Sequence, residues 1–95
     1  MSRPQATATQ LVDEAGTRVP RFDCGAGAET SWHRHGFDYV ITAVTDCEVL
    51  LEELGSVERT ITALQSNAYV RDAGVEHNVI NNSTGRMSFV EVELK

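Results

Sequence analysis

From residue 18 to residue 94 the chain is cut into short β-branched, aromatic and aliphatic runs by turn-forming clusters. That punctuation limits the fold more than any other feature. The runs are 19–23, 29–35, 37–44, 47–54, 57–64, 68–71, 77–80 and 87–94. Between them lie Gly25-Ala26-Gly27, Thr45-Asp46, Gly55-Ser56, Gln65-Ser66-Asn67, Asp72-Ala73-Gly74 and Asn81-Asn82-Ser83-Thr84-Gly85. Residues 49–54 admit a helical reading, but the turn at Gly55 and the threonines after it favour strand. About eight strands and no convincing helix predict an all-β sandwich or barrel, and 95 residues suffice for one core. Pro20 predicts an edge strand at 19–23. The polar cluster before Met87 predicts a hairpin loop. The last run alternates, with Ser88, Val90, Val92 and Leu94 on one face and Phe89, Glu91 and Glu93 on the other. Residues 1–17 show little pattern beyond Leu11-Val12. They predict an arm that adds an edge strand or swaps onto a neighbour, leaving 18–95 as the barrel proper.

Within this frame His33-Arg34-His35 is the pair with chemistry in it. On a helix, residues two apart point to nearly opposite sides; on a strand they share a face about 6–7 Å apart. Two imidazoles so placed can converge on one ion at about 2.0–2.1 Å from each nitrogen. A third must come from another strand, and His77 is the remaining histidine.

Gly27-x5-His33-x-His35 resembles the first motif of the cupin family, G-x5-H-x-H-x3–4-E-x6-G. Gly74-x2-His77-x3-Asn81 resembles the second, G-x5-P-x-G-x2-H-x3-N. The resemblance implies a small single-domain cupin, an antiparallel double-sheet jelly-roll barrel, with His33, His35 and His77 as ligands to a divalent transition metal. Imidazole does not choose among iron, zinc, nickel, manganese and copper. The sequence departs from the motifs at four places. Tyr39 or Val40 stands at the glutamate position, Asp46 at the closing glycine, Ser66 at the second motif's leading glycine and Asp72 at its proline.

Without the glutamate, a three-histidine centre keeps its full double charge and should favour a small anionic ligand or substrate. Tyr39 is expected to point into the barrel where the glutamate would stand, as a hydrogen-bonding group or as a core tyrosine. Asp38 is a candidate further ligand only if a bulge at Gly36 reverses the strand alternation. Arg71 is a candidate contact for a substrate anion, or a partner for Glu91 or Glu93. Trp32 is expected to pack rather than line a pocket, and Asn81 to hold structure through hydrogen bonds. The resemblance permits a three-histidine metalloenzyme, dioxygenase- or isomerase-like. The alternative is a non-catalytic cupin that binds a small molecule through a structural or ligand-bridging metal.

A formal charge of −6 and no basic clustering argue against nucleic acid as a partner. No apolar stretch approaches the length of a membrane span. Cys24 and Cys47 are too far apart for a CxxC motif. With no secretory pattern in residues 1–10, both are expected as reduced thiols in the cytoplasm. Cys47 alternates with Val49 and Leu51 and reads as core, and a nucleophilic Cys24 would need a histidine beside it. Outward apolar positions such as Val40 and Val44 predict a homodimer.

Overall fold

The computed structural model describes residues 3–95, and all its regular structure is strand. In chain order these are β1 (Thr7–Asp13), β2 (Thr17–Cys24), β3 (His33–Arg34), β4 (Asp38–Ala43), β5 (Cys47–Glu53), β6 (Val57–Ala63), β7 (Ala68–Arg71), β8 (Glu76–Asn81) and β9 (Met87–Leu94). They form two antiparallel sheets, ordered β1-β2-β9-β4-β7 and β3-β8-β5-β6. This is the double-sheet jelly roll that the cupin resemblance implied, within the sandwich or barrel expected from the spacing of the runs. Residues 49–54 are strand through Glu53, and Gly55 closes the β5–β6 hairpin with a φ of 78°.

Three local expectations change. β2 is an interior strand, because β1 covers the edge that Pro20 was expected to occupy. Pro20 is accommodated beside a register shift between Gln10 and Val12, where the ladder is already broken. The segment around Asn82 joins β8 to β9, which lie in different sheets, so it is a crossing connection and not a hairpin. The first ligand strand is only His33–Arg34, since Ser31 takes a left-handed φ of 75° and breaks the ladder before it.

The two inner faces meet in a core of Cys24, Tyr39, Ile41, Val49, Leu51, Met87 and Phe89, among others. Phe22 and Phe89 stack across β2 and β9 at 5.2 Å. Period-2 alternation turns Phe89, Glu91 and Glu93 inward together, so two carboxyls enter the barrel because Phe89 does. Both cysteines are free and buried. Burial pushes the Cys24 thiol up to about 11, which keeps it protonated and unreactive.

The outer face of the five-stranded sheet carries a row of valines. Val12 pairs with Val19, Val92 with Val40, and Val40 with Val70. The β2–β9 register sets Arg18 opposite Glu93 and Arg21 opposite Val90, which places Val19 opposite Val92. Each strand of the sheet thus contributes one valine to the row.

Candidate metal centre

His33 on β3 and His77 on β8 are direct register partners, so their side chains share the inner face. His35 lies just beyond β3. Its N–H donates to the Val75 carbonyl at 2.9 Å, and its carbonyl accepts from the Gly74 N–H at 2.8 Å. Gly74 can make this turn because its φ is 95°, a conformation that side-chain-bearing residues rarely adopt. Ser66, at the second motif's leading glycine position, likewise has a left-handed φ of 70°.

The three imidazoles converge. His35 Nε2 lies 2.9 Å from His33 Nε2 and 3.1 Å from His77 Nε2. Two bonds of about 2.05 Å meeting at a right angle set their nitrogens about 2.9 Å apart, so each of these spacings fits two donors on a single ion, and the ligand atoms of all three histidines lie within 4.8 Å of one another. The protonation pattern fits as well. His33 Nδ1 donates to the Ser31 carbonyl at 2.8 Å, which leaves its Nε2 with a lone pair aimed at the other two. One proton on His35 Nε2 can satisfy a single neighbour, whereas a cation between the rings satisfies all three. Burial first, and the proximity of the neighbouring His33 second, hold His35 down at about 4 and His77 at about 3. Both are therefore neutral, ligand-competent imidazoles at neutral pH.

Tyr39 occupies the inward position opposite Glu93 and Arg71. Its ring stacks on His35 with centroids 3.8 Å apart and planes 19° from parallel. Among the described residues its hydroxyl is buried without a hydrogen-bond partner, as is His77 Nδ1. Burial, with the nearby Glu91, pushes the phenol above its ordinary range. Both residues line a lumen cavity of about 20 Å³, enough for one water-sized molecule. Arg71 lines the same cavity. Its closest carboxylate is Glu53, at 3.8 Å, rather than Glu91 or Glu93.

Asp38 does not join the cluster. It is exposed, and its carboxylate accepts the Ala73 N–H at 2.8 Å; the chain leaves strand conformation at residues 35–37 as it passes from β3 in one sheet to β4 in the other, so Asp38 takes its direction from β4, where Tyr39 points inward. Trp32 is half exposed, so the expected packing role is not realised. Cys24 belongs to the apolar core, where burial keeps its thiol protonated.

The carboxyls near the centre come from β9 instead. Glu91 is 3% exposed, and its Oε1 lies 4.0 Å from His35 Nε2. Burial first, and the neighbouring Glu93 second, push Glu91 up to about 8, against the pull of Arg18. His33, His35 and His77 form one group of donor atoms able to hold a metal ion; His35, Glu91 and Glu93 form an overlapping second. Sequence reading named Glu91 and Glu93 only as partners for Arg71. The signal was their parity with Phe89, an inward aromatic.

No family model matches the chain. It is 47% identical over 93 residues to the beta-alanine degradation protein BauB of Pseudomonas aeruginosa, covering 98% of this chain and 97% of the relative. Among solved structures it matches a cupin domain from Bordetella pertussis Tohama I at 40% identity and a TM-score of 0.95, over 100% of this chain and 98% of that one. An RmlC-like cupin family protein with a double-stranded β-helix fold, from Methanocaldococcus jannaschii, matches at 12% identity and a TM-score of 0.78. That match covers 95% of this chain and 80% of the other, and it bears on the fold alone.

Proposed function

Because the chain belongs to the cupin family, we propose that it holds one divalent transition metal on His33, His35 and His77 and acts there on a small organic anion. The observation that carries this reading is the spacing of the three Nε2 atoms at 2.9 and 3.1 Å. Three neutral imidazoles leave a bound divalent ion its full charge, with which it would polarise an anion or water in its remaining positions. The chain's own residues supply the rest. The Ser31 carbonyl fixes the His33 tautomer, the Tyr39 ring holds His35 in plane, and Glu91 brings a buried carboxyl to the same end of the barrel.

The ligand does not enter the lumen, which has room for about one water in its 20 Å³. It docks instead in the open mouth bounded by His33, His35, Phe22 and Glu91, a space of about 270 Å³ that suits a molecule of a few carbons. The name of the Pseudomonas relative points the same way, to the breakdown of a three-carbon amino acid. The two free buried cysteines accord with work in the reducing cytoplasm. The filled lumen also favours a second reading, a non-catalytic cupin that binds a small ligand at its mouth through the metal.

Elemental analysis of tag-free protein tests the metal, and oxygen-uptake and product screens with small carboxylates separate the two readings. About one equivalent of metal is expected, lost on His33→Ala plus His77→Ala. Equal metal content in that double variant and the parent would refute the site.

A further inference from the structure

The first ligand strand is the least anchored element of the metal centre. β3 is two residues long, pairs only with β8, and leaves His33 half-buried. Beyond that short ladder, His33 is held by the ledge at residues 28–31. Its Nδ1 donates to the Ser31 carbonyl at 2.8 Å and lies 3.4 Å from the Thr30 hydroxyl. Ser31 aims that carbonyl with a φ of 75°. Such a conformation is costly for a residue with a side chain and persists only where its neighbours hold it.

Those neighbours flank the ledge on two sides. On one side the Thr30 N–H donates to the Val79 carbonyl and the Asn81 N–H to the Ala28 carbonyl, both at 2.9 Å, which seats the ledge on β8. On the other side lies the start of the described chain. The Glu29 N–H donates to the Pro4 carbonyl at 2.9 Å, and the Ala6 N–H donates to the Glu29 carbonyl at 2.8 Å, so Gln5 forms a parallel bridge with Glu29. Arg3 meets Glu29 at 3.0 Å and Glu52 at 3.3 Å. Asn78, next to the ligand His77, donates to the same two carboxylates at 2.9 and 3.1 Å. Gln5 completes the clamp: its Oε1 accepts from the Ser31 hydroxyl at 2.5 Å, and its Nε2 donates to Glu29 at 3.3 Å.

A route of direct contacts therefore runs from Gln5 to the Ser31 hydroxyl, and from the Ser31 carbonyl to His33 Nδ1. The imidazole carries it on to the Nε2 that faces the other two histidines. Without Gln5 the Ser31 hydroxyl loses its partner, and the residue is free to leave the left-handed region for the extended one that serine prefers. Its carbonyl then turns away from His33, and nothing fixes which ring nitrogen carries the proton. We infer that residues 3–6 are a positioning element of the metal centre, with Gln5 acting through Ser31 to hold His33 in ligand geometry. For the ion, this inference rests on the metal-site reading above; the contact route does not depend on it.

Zinc alone is the probe, titrated into the tag-free full chain against a competing chelator. Gln5→Ala should weaken zinc binding about tenfold, and deletion of residues 3–6 at least as much, the range in which lost outer hydrogen bonds weaken metal sites. Ser31→Ala should match Gln5→Ala. The two together should weaken zinc no further than either alone, since both break one link. Lys95→Ala cuts the 2.7 Å tie to Asp13 at the other end of β1 and should leave zinc affinity unchanged. Nitrogen-15 spectra of metal-free protein should show His33 protonated on Nδ1 in the parent and on a mixture of both nitrogens in Gln5→Ala. A loss of global stability alone does not produce that change. Parent-like zinc affinity in Gln5→Ala overturns the inference, as do additive effects in the double variant, and neither arm needs the deletion to fold. A parent protein that takes up no zinc removes the metal reading instead. The tautomer then decides the route: an unchanged His33 in Gln5→Ala overturns it.

Discussion

Asn81, the last residue of the second motif, is expected to be the most expensive polar side chain in the protein to remove. It is 1% exposed. Its Nδ2 donates to the carbonyls of Cys24 at 3.1 Å, Gly25 at 3.0 Å and Gly85 at 2.8 Å. Its Oδ1 accepts from the Ser83 N–H at 3.0 Å and the Ser83 hydroxyl at 2.7 Å. An amide has two hydrogens and two lone pairs, so these five contacts amount to about four full bonds. At about 1 kcal/mol net each, Asn81→Ala should cost about 4 kcal/mol, more if the carbonyls stay dry. That is a large share of the 5–15 kcal/mol typical of a whole domain. Asn81→Asp should cost at least as much, since it removes both donors and sets a charge against the same carbonyls. Urea denaturation of metal-free protein at neutral pH measures both. A loss below about 1 kcal/mol for Asn81→Ala would refute the reasoning, because it would mean water replaces the amide freely.

Metal-free stability should peak near pH 6.5. His35 and His77, depressed to about 4 and 3, give stability that is full above their unfolded value of about 6.5 and lost as pH falls. Glu91, raised to about 8, gives stability that is full at low pH and lost as pH rises, about 2 kcal/mol between pH 6.5 and 8. Denaturation midpoints that climb steadily through pH 8 would contradict this. Tyr39→Phe removes a buried hydroxyl that has no partner among the described residues, so metal-free stability should hold or rise by about 1 kcal/mol. A drop of 2 kcal/mol on urea titration would mean that the hydroxyl is hydrogen-bonded. The five-valine row should be covered by a second copy of the chain, giving a dimer in sedimentation that Val40→Lys plus Val92→Lys converts to monomer. A parent protein that sediments as a monomer at all concentrations rejects that interface.

The strands from β2 to β9, the all-β class and the three histidines could be read from the sequence because each rests on local chemistry; β1, in the weakly patterned arm, is the ninth strand. Turn residues mark where strands end, period-2 spacing puts His33 and His35 on one face, and Gly74 lies at the turn that delivers His77. What only the tertiary structure decided is which face of each strand is inside and which strands cross between sheets. In β9 either face was a legitimate candidate for the core, three apolar residues and a serine against Met87, Phe89 and two acids. Pairing with β4 settled it: Ile41 faces Glu91 and Tyr39 faces Glu93, so the acids share the inner face with the core of β4. Glu91 thereby meets His35 across the barrel although 55 residues of chain separate them. Only the closure of one sheet over the other brings them together, and no local pattern in the sequence carries that information.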